Sequence, residues 1–120
     1  MSLEQNKAVI RRWHEILSNQ DLAAFDEVLH PDYTNRSGSK SPWAAGTPGP
    51  EAMKTYFAGV FQEHPTWTIV IDDMIAEGNK VCARLTWFEE DKPTAVAISC
   101  YRLVDGKIVD DWFTRTELES

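Results

Sequence analysis

Residues 96–115, VAISCYRLVDGKIVDDWFTR, decide the fold of this chain. Two runs rich in β-branched and aromatic residues flank the dipeptide Asp105-Gly106, which is the strongest short-range signal for a β-hairpin. A two-residue turn at this dipeptide pairs Val104 with Lys107, and the other cross-strand pairs follow by counting. The sequence therefore predicts a hairpin of two long antiparallel strands.

If the ladder continues without interruption, Tyr101 lies opposite Asp110, and Ser99 lies opposite Trp112. Because side chains alternate across a strand, one face of the hairpin carries these four residues together. We interpret this mostly aromatic and apolar face as the floor of a pocket. The same count sends Asp111 to the opposite face.

Length and charge restrict the class of protein. The 120 residues suffice for one domain, residues 1–120, with a core that needs no metal or disulfide. A net charge of −7 without a basic cluster disfavours nucleic acids and membrane surfaces as partners. No apolar run approaches the roughly 20 residues of a membrane span, and a signal peptide is not recognisable. A cytoplasmic location is therefore expected.

The two cysteines, Cys82 and Cys100, lie on segments predicted to be adjacent strands. A cross-strand disulfide is one interpretation, and two free buried thiols are the preferred one. Neither cysteine has a metal-ligand companion at the usual spacing, so no metal or cofactor is expected.

Apolar residues at helical spacing predict three helices, at about residues 3–17, 22–29 and 51–62. Asp21 is placed to cap the second helix, and His30-Pro31 ends it, because the residue before proline is pushed out of the α region. His14 is expected to point to solvent from the first helix. Residues 36–50, rich in Ser, Gly and Pro, are expected to form a long loop of the kind that often covers a binding site.

After Pro65 the residues alternate between apolar and polar, which predicts strands. A three-residue loop at 77–79 places Asp73 and Ile75 on the inward face of the first long strand. Together with the hairpin this makes four long antiparallel strands and one short strand near Tyr33. The prediction is an α+β fold in which helices cover one face of a strongly curved sheet.

Four segments carry a resemblance to a known family: HPDYTN (30–35), GPEAMKTYFAGVF (49–61), IDDMIAEGNKV (71–81) and YRLVDGKIVDDW (101–112). With the order of elements, they resemble the SnoaL-like branch of the nuclear transport factor 2-like superfamily over nearly the whole chain. The resemblance implies a cone-shaped curved sheet closed by three helices over a deep apolar cavity. This fold hosts polyketide cyclases, ketosteroid isomerase, epoxide hydrolase, dehydratases, transport factors and non-catalytic association domains, so it does not determine the function.

Two catalytic patterns of the superfamily are incomplete here. Ketosteroid isomerase-like members carry a Tyr where this chain has Trp13, and their general base falls near Ser37. Epoxide hydrolase-like members use an Asp-Arg-Asp set assisted by Tyr-x-Asn. Tyr33 and Asn35 match the assisting pair, but Thr86 stands at the first Asp position.

The SnoaL-type cyclase pattern is incomplete as well. These cyclases use a His after the third long strand and an Asp four residues beyond the final Trp. Residues 88–95 contain no His, and Thr116 occupies the Asp position. No familiar catalytic set is therefore complete.

Asp110 is the first candidate catalytic residue, because a carboxyl group among aromatic side chains loses hydration and its pKa rises towards the range useful for acid/base chemistry. The alternative is a solvated carboxylate, or one hydrogen-bonded to Tyr101. Asp73 is the second candidate, with a strand-edge or dimer-interface position as the alternative. Tyr33 and Asn35 are expected to position a water or a carbonyl group, or else to be ordinary packing residues.

Eight side chains are candidates for contact with a small apolar, ring-containing molecule: Trp13, Tyr33, Asn35, Phe57, Trp67, Trp87, Tyr101 and Trp112. For each aromatic residue, core packing is the alternative role. Two functions remain open. One is a cofactor-independent enzyme of the cyclase, isomerase, hydratase or hydrolase type. The other is a non-catalytic ligand-binding or dimerisation domain.

A homodimer through the outer sheet face is also expected, because an exposed apolar sheet face is usually covered by another chain. The residues assigned to that face are Val70, Val96, Ile98, Val109 and Phe113.

Overall fold

The computed structural model describes residues 2–36 and 49–118, and within them the chain has an α+β fold. The helices are α1 (Leu3–Ser18), α2 (Phe25–Val28, preceded by a 3-10 turn at Leu22–Ala24) and α3 (Pro50–Glu63). The strands are β1 (Leu29–Asn35), β2 (Thr68–Glu77), β3 (Lys80–Glu89), β4 (Lys92–Val104) and β5 (Lys107–Glu117). Most of the predicted long loop, and Ser37, lie outside the described residues.

The bounds of the first helix agree closely with those predicted from the spacing of its apolar residues. Ser2 and Gln5 form a capping box at its start, which satisfies backbone N–H groups that have no partner within the helix. Its buried side includes Ile10, Trp13 and Leu17, as the apolar spacing predicts. The second predicted helix is shorter than expected, and Asp21 makes no side-chain capping bond to it.

The five strands form one curved, unclosed sheet in the order β1-β5-β4-β3-β2. Strand β1 runs parallel to β5, and the other neighbours are antiparallel. His30-Pro31 explains why β1 begins where α2 ends, because proline requires extended backbone before it. The main core lies between the helices and the sheet face that they cover.

The turn between β4 and β5 confirms the first part of the predicted hairpin. Asp105 and Gly106 both have positive φ angles, 53° and 77°, as a type I′ turn requires. Val104 pairs with Lys107, and the next pair, at Leu103, also follows the predicted count.

The predicted register is wrong beyond that point. Arg102 pairs with Asp110 instead of Val109, so β5 contains one extra residue at a β-bulge. Every later pair is shifted by one position, and Tyr101 lies opposite Asp111. Because a one-residue shift moves each side chain to the other face of the sheet, Asp111 points to the core and Asp110 does not.

A second bulge changes β2. Glu77 pairs with Lys80, so the turn contains two residues and not three, and the register shifts between Ile71 and Asp73. Asp73 and Ile75 consequently lie on the outer face and are exposed. The prediction that these two residues face inward is wrong, for the same physical reason as in β5.

Candidate functional site

A narrow pocket lies in the core between α1, α3 and the covered face of the sheet. Its volume is about 40 Å³, which is room for about three water molecules. Six of the eight predicted ligand-contact residues line it: Trp13, Asn35, Phe57, Trp67, Trp87 and Tyr101. A ring-containing molecule needs more space than this, so its entry requires side chains to move.

Asp111 lies at the polar end of this pocket. Its side chain is buried, and the bulge in β5 directs it inward, beside its strand partners Asn35 and Tyr101. Oδ2 accepts a hydrogen bond from the Tyr33 hydroxyl at 3.3 Å, whereas Oδ1 has no partner among the described residues. Burial raises the pKa of Asp111 to about 7, although the hydrogen bond from Tyr33 lowers it. Near neutral pH this carboxyl group is therefore present in both protonation states.

Tyr33 and Asn35 support Asp111 from β1. The Asn35 amide nitrogen donates to the Tyr33 hydroxyl at 3.4 Å, and that hydroxyl donates to Asp111. Burial, and then the negative charge of Asp111, raise the pKa of Tyr33 well above its ordinary value. Tyr33 therefore remains a hydrogen-bond donor at every pH at which the protein would be used. It contacts the carboxylate without lining the pocket itself.

His14 is a pocket residue that sequence reasoning missed. Its Nε2 atom lies 2.8 Å from the Tyr101 hydroxyl oxygen, and both side chains are buried. Burial lowers the pKa of His14 to about 3, so the imidazole is neutral. The prediction that it points to solvent is wrong. Ile10, His14 and Leu17 recur at helical spacing, and this was the signal in the sequence that could have placed His14 inward.

The sequence was compared with known protein families and with curated proteins. Residues 10–111 match the SnoaL-like domain, which is most of the chain. The protein belongs to the SnoaL-like family. This assignment confirms the resemblance that the four segments of the sequence indicated. No curated protein matches the chain.

The solved structures that share the fold of this SnoaL-like protein include the following three. A candidate polyketide cyclase from Acidithiobacillus ferrooxidans has a TM-score of 0.81 at 17% identity, covering 96% of this chain and 91% of the other. IdmH, a candidate polyketide cyclase from Streptomyces antibioticus, has a TM-score of 0.75 at 20% identity, covering 92% and 91%. A candidate ketosteroid isomerase from Kribbella flavida has a TM-score of 0.75 at 18% identity, covering 98% and 82%. At these identities the likeness shows the fold alone.

Asp110, the first predicted catalytic residue, lies outside the pocket of this SnoaL-like domain. Its carboxylate accepts hydrogen bonds from Arg36 Nε at 2.7 Å and from Arg102 Nε at 2.5 Å. Burial acts to raise the pKa of Asp110, but the two arginines outweigh it and hold the pKa below its usual value. The carboxylate is thus an ionised link between β1, β4 and β5. Its predicted place on the pocket floor is wrong because of the bulge.

Replacing Asp110 with Ala should destabilise the protein by about 1–3 kcal/mol, because Arg36 and Arg102 would then face each other without a counter-charge. Urea unfolding at neutral pH measures this difference. Asp110→Asn keeps the shape and one acceptor oxygen, so it should cost less than Asp110→Ala. Equal stability of Asp110→Ala and the wild type would show that the ion pairs contribute nothing.

Asp73 and Trp112 also lie outside the pocket. Asp73 is exposed beside the bulge in β2, where its carboxylate accepts a hydrogen bond from the backbone N–H of Met74 at 2.9 Å. Trp112 is 39% exposed on the outer face of β5. The prediction that these two residues lie in the pocket is wrong. The bulge in β2 directly precedes Asp73, and the bulge in β5 precedes Trp112.

Within residues 2–36 and 49–118, no group of three His, Cys, Asp or Glu side chains is arranged to hold a metal ion. In the same part of the chain, none of the helices has both the length and the apolar character needed to cross a membrane.

Proposed function

We propose that this SnoaL-like protein is a cofactor-independent enzyme that transfers protons on a small apolar, ring-containing molecule, with Asp111 as the acid/base. The observation that carries the proposal is a buried carboxyl group, with a pKa raised to about 7, at the end of an aromatic pocket. A pKa near the working pH suits a group that must both accept and release a proton. The family and its structural neighbours support the general class of reaction only.

The unpartnered Oδ1 atom of Asp111 is the oxygen that would accept the substrate proton. Tyr33 occupies Oδ2, and this contact orients the carboxylate, whereas Oδ1 is buried and has no partner among the described residues. Asn35 in turn holds the Tyr33 hydroxyl. In this proposal Tyr33 and Asn35 position the Asp111 carboxylate, whereas the sequence predicted that they position a water or a carbonyl group.

Tyr101 would stabilise negative charge that develops on a substrate oxygen. When the neutral His14 carries its hydrogen on Nε2, it donates to the Tyr101 oxygen, so the phenol hydrogen is not used by His14 and can be donated to a substrate oxygen. Burial, then the charge of Asp111, keeps the pKa of Tyr101 well above its ordinary value. A fixed donor of this kind in a mostly apolar pocket stabilises an enolate-like oxyanion.

The test is exchange of substrate protons with solvent. The wild-type protein is incubated in D₂O with a panel of cyclic ketones and cyclic enones, and NMR follows the loss of protons next to the carbonyl group. Exchange should increase as the pH rises through about 7, because Asp111 becomes ionised there. Asp111→Asn should slow it by at least about 100-fold.

The matched control is Asp91→Asn, which changes an exposed turn residue remote from the pocket. It should exchange protons at the wild-type rate. Exchange that persists unchanged in Asp111→Asn would remove Asp111 as the acid/base.

The small pocket volume favours a second candidate function, a ligand-binding or dimerisation domain without catalysis. About 40 Å³ does not accommodate a ring system unless side chains move. The incomplete catalytic patterns of the superfamily also favour a function without catalysis. Binding of a panel member without any proton exchange, at every pH examined, would support this alternative.

We also propose that a second copy of the chain covers the outer sheet face. Val70, Val96, Ile98 and Trp112 leave an apolar patch exposed there. Of the residues first assigned to this face, Val109 is buried and Phe113 lines the pocket, so neither belongs to the patch. Both differences follow from the bulge in β5.

Analytical ultracentrifugation tests this proposal. The wild type should sediment as a dimer at micromolar concentration. Ile98→Glu should sediment as a monomer, because it places a charge in the centre of the patch. Thr55→Glu, on the exposed side of α3, should leave the dimer intact. A monomeric wild type would contradict the proposed interface.

A further inference from the structure

The outer face of the sheet carries a pair of facing cysteines. Cys82 on β3 and Cys100 on β4 are direct partners in the antiparallel ladder, so their side chains project from the same face. Their Sγ atoms are 2.6 Å apart, compared with about 2.05 Å in a disulfide bond. Both are free thiols, and both are half-buried.

We propose that Cys82 and Cys100 form a redox modification site, at which a low-molecular-weight disulfide converts the two thiols into a cross-strand disulfide. The ladder already holds the two residues opposite each other, and the Cα separation of about 4.5–5.5 Å typical of antiparallel partners lies within the range that a disulfide bond spans. The pair is on the face opposite the pocket, because the neighbouring Tyr101 points inward. The site is therefore separate from the proposed enzymatic site, and it is accessible to an oxidant when no second copy of the chain covers the outer face.

The surroundings of the two thiols differ. Cys82 borders a shallow groove of about 230 Å³ on the outer face, whereas Cys100 does not line it. Cys100 lies between Cys82 and Trp112, its partners on the two neighbouring strands. Burial, and then the contact with Cys82, raise the pKa of the Cys100 thiol to about 11, so little of it is thiolate at neutral pH. Cys82 is thus the attacking thiol and Cys100 the resolving thiol.

The reaction proceeds in two exchanges. The Cys82 thiolate attacks one sulfur of the oxidant, breaks its S–S bond and releases one thiolate, which leaves a mixed disulfide on Cys82. Cys100 then loses its proton and attacks Cys82 Sγ, and the second thiolate leaves. Two electrons pass to the oxidant, and the two protons from the cysteines end on its released thiols.

The experiment uses oxidised glutathione and the folded full-length protein at high dilution, which keeps the outer face free of a second copy. Intact mass after alkylation should show a product two hydrogens lighter than the reduced protein, with neither thiol alkylated. Trypsin cleaves after Arg84, between the two cysteines, so the unreduced digest should contain peptide 81–84 linked to peptide 85–102. Reduction should separate the two peptides.

Two serine variants test the order of attack. Cys100→Ser should accumulate the glutathione mixed disulfide on Cys82, and Cys82→Ser should react at least about ten-fold more slowly. Circular dichroism confirms that each variant is folded. A wild-type protein that stays reduced, stops at the mixed disulfide or cross-links between molecules would overturn the proposal. Equal rates in the two variants would overturn the assignment of Cys82 as the attacking thiol.

Discussion

Asp111→Asn is expected to be more stable than the wild type in mildly alkaline solution, although it removes the proposed acid/base. The pKa of Asp111 is raised from 3.8 to about 7 by burial. Between these values the folded protein keeps a proton that the unfolded chain has lost, so the contribution of Asp111 to the free energy of unfolding decreases as the pH rises, and it stays low above pH 7. Asn does not ionise and avoids this loss.

The stability difference between Asp111→Asn and the wild type should therefore grow by about 4 kcal/mol between pH 4 and pH 8. Urea unfolding of both proteins across this range measures it. Asp111→Ala provides the control, because it also lacks the charge but packs less well. It should show the same pH dependence with a lower stability throughout. A difference that does not vary with pH would show that Asp111 is ionised at little cost in the folded protein.

His14→Gln is expected to lose less stability in acid than the wild type. Burial lowers the pKa of His14 from 6.5 to about 3. As the pH falls through 6.5, the unfolded chain binds a proton that the folded protein does not bind, so the wild type loses stability until about pH 3. Between pH 6.5 and pH 4 the loss amounts to about 3 kcal/mol, which is a large part of the 5–15 kcal/mol typical of a domain.

Gln is suited to this test because its amide can reach the position of Nε2 and contact Tyr101, yet it does not titrate. Urea unfolding at a series of pH values compares the two proteins. His14→Asn should show the same change with pH, even if its contact with Tyr101 is lost. If the stability difference is constant with pH, His14 is accessible to protons in the folded state.

The two residues have opposite effects in the same range of pH. Between about pH 4 and pH 6.5, Asp111 makes the wild type less stable as the pH rises, whereas His14 makes it more stable. The contributions of this pair largely cancel, so each single variant should reveal the slope that the other residue causes. Both slopes have one cause, the burial of two ionisable groups in one apolar pocket.

Local signals predicted the elements of this fold well. The apolar spacing of α1, the His30-Pro31 pair that stops the helix before it, and the type I′ turn at Asp105-Gly106 each depend on a few neighbouring residues. Such preferences act over one or two turns of chain and can be read from the sequence. The helices and the long strands followed from them, whereas the SnoaL-like family was suggested by the resemblance of four longer segments to that family.

The identity of the inward carboxylate could not be read in this way. It depends on a single extra residue at Val109, and the adjacent Asp110 and Asp111 are chemically alike. The ion pairs of Asp110 with Arg36 and Arg102 stabilise the register in which Asp110 points outward. Arg36, however, is distant in sequence and becomes a neighbour of Asp110 only when β1 aligns with β5. The same limit applied to Asp73, which a bulge in β2 turned outward.

The sequence by itself determined which elements form, how the β4–β5 hairpin turns, and that aromatic residues from separate segments would meet over the sheet. Only the tertiary structure decided which aspartate and which histidine meet in the pocket. The physical reason is that side-chain direction in a strand alternates with every residue. A bulge reverses it, and the bulge is stabilised by contacts between segments far apart in the chain.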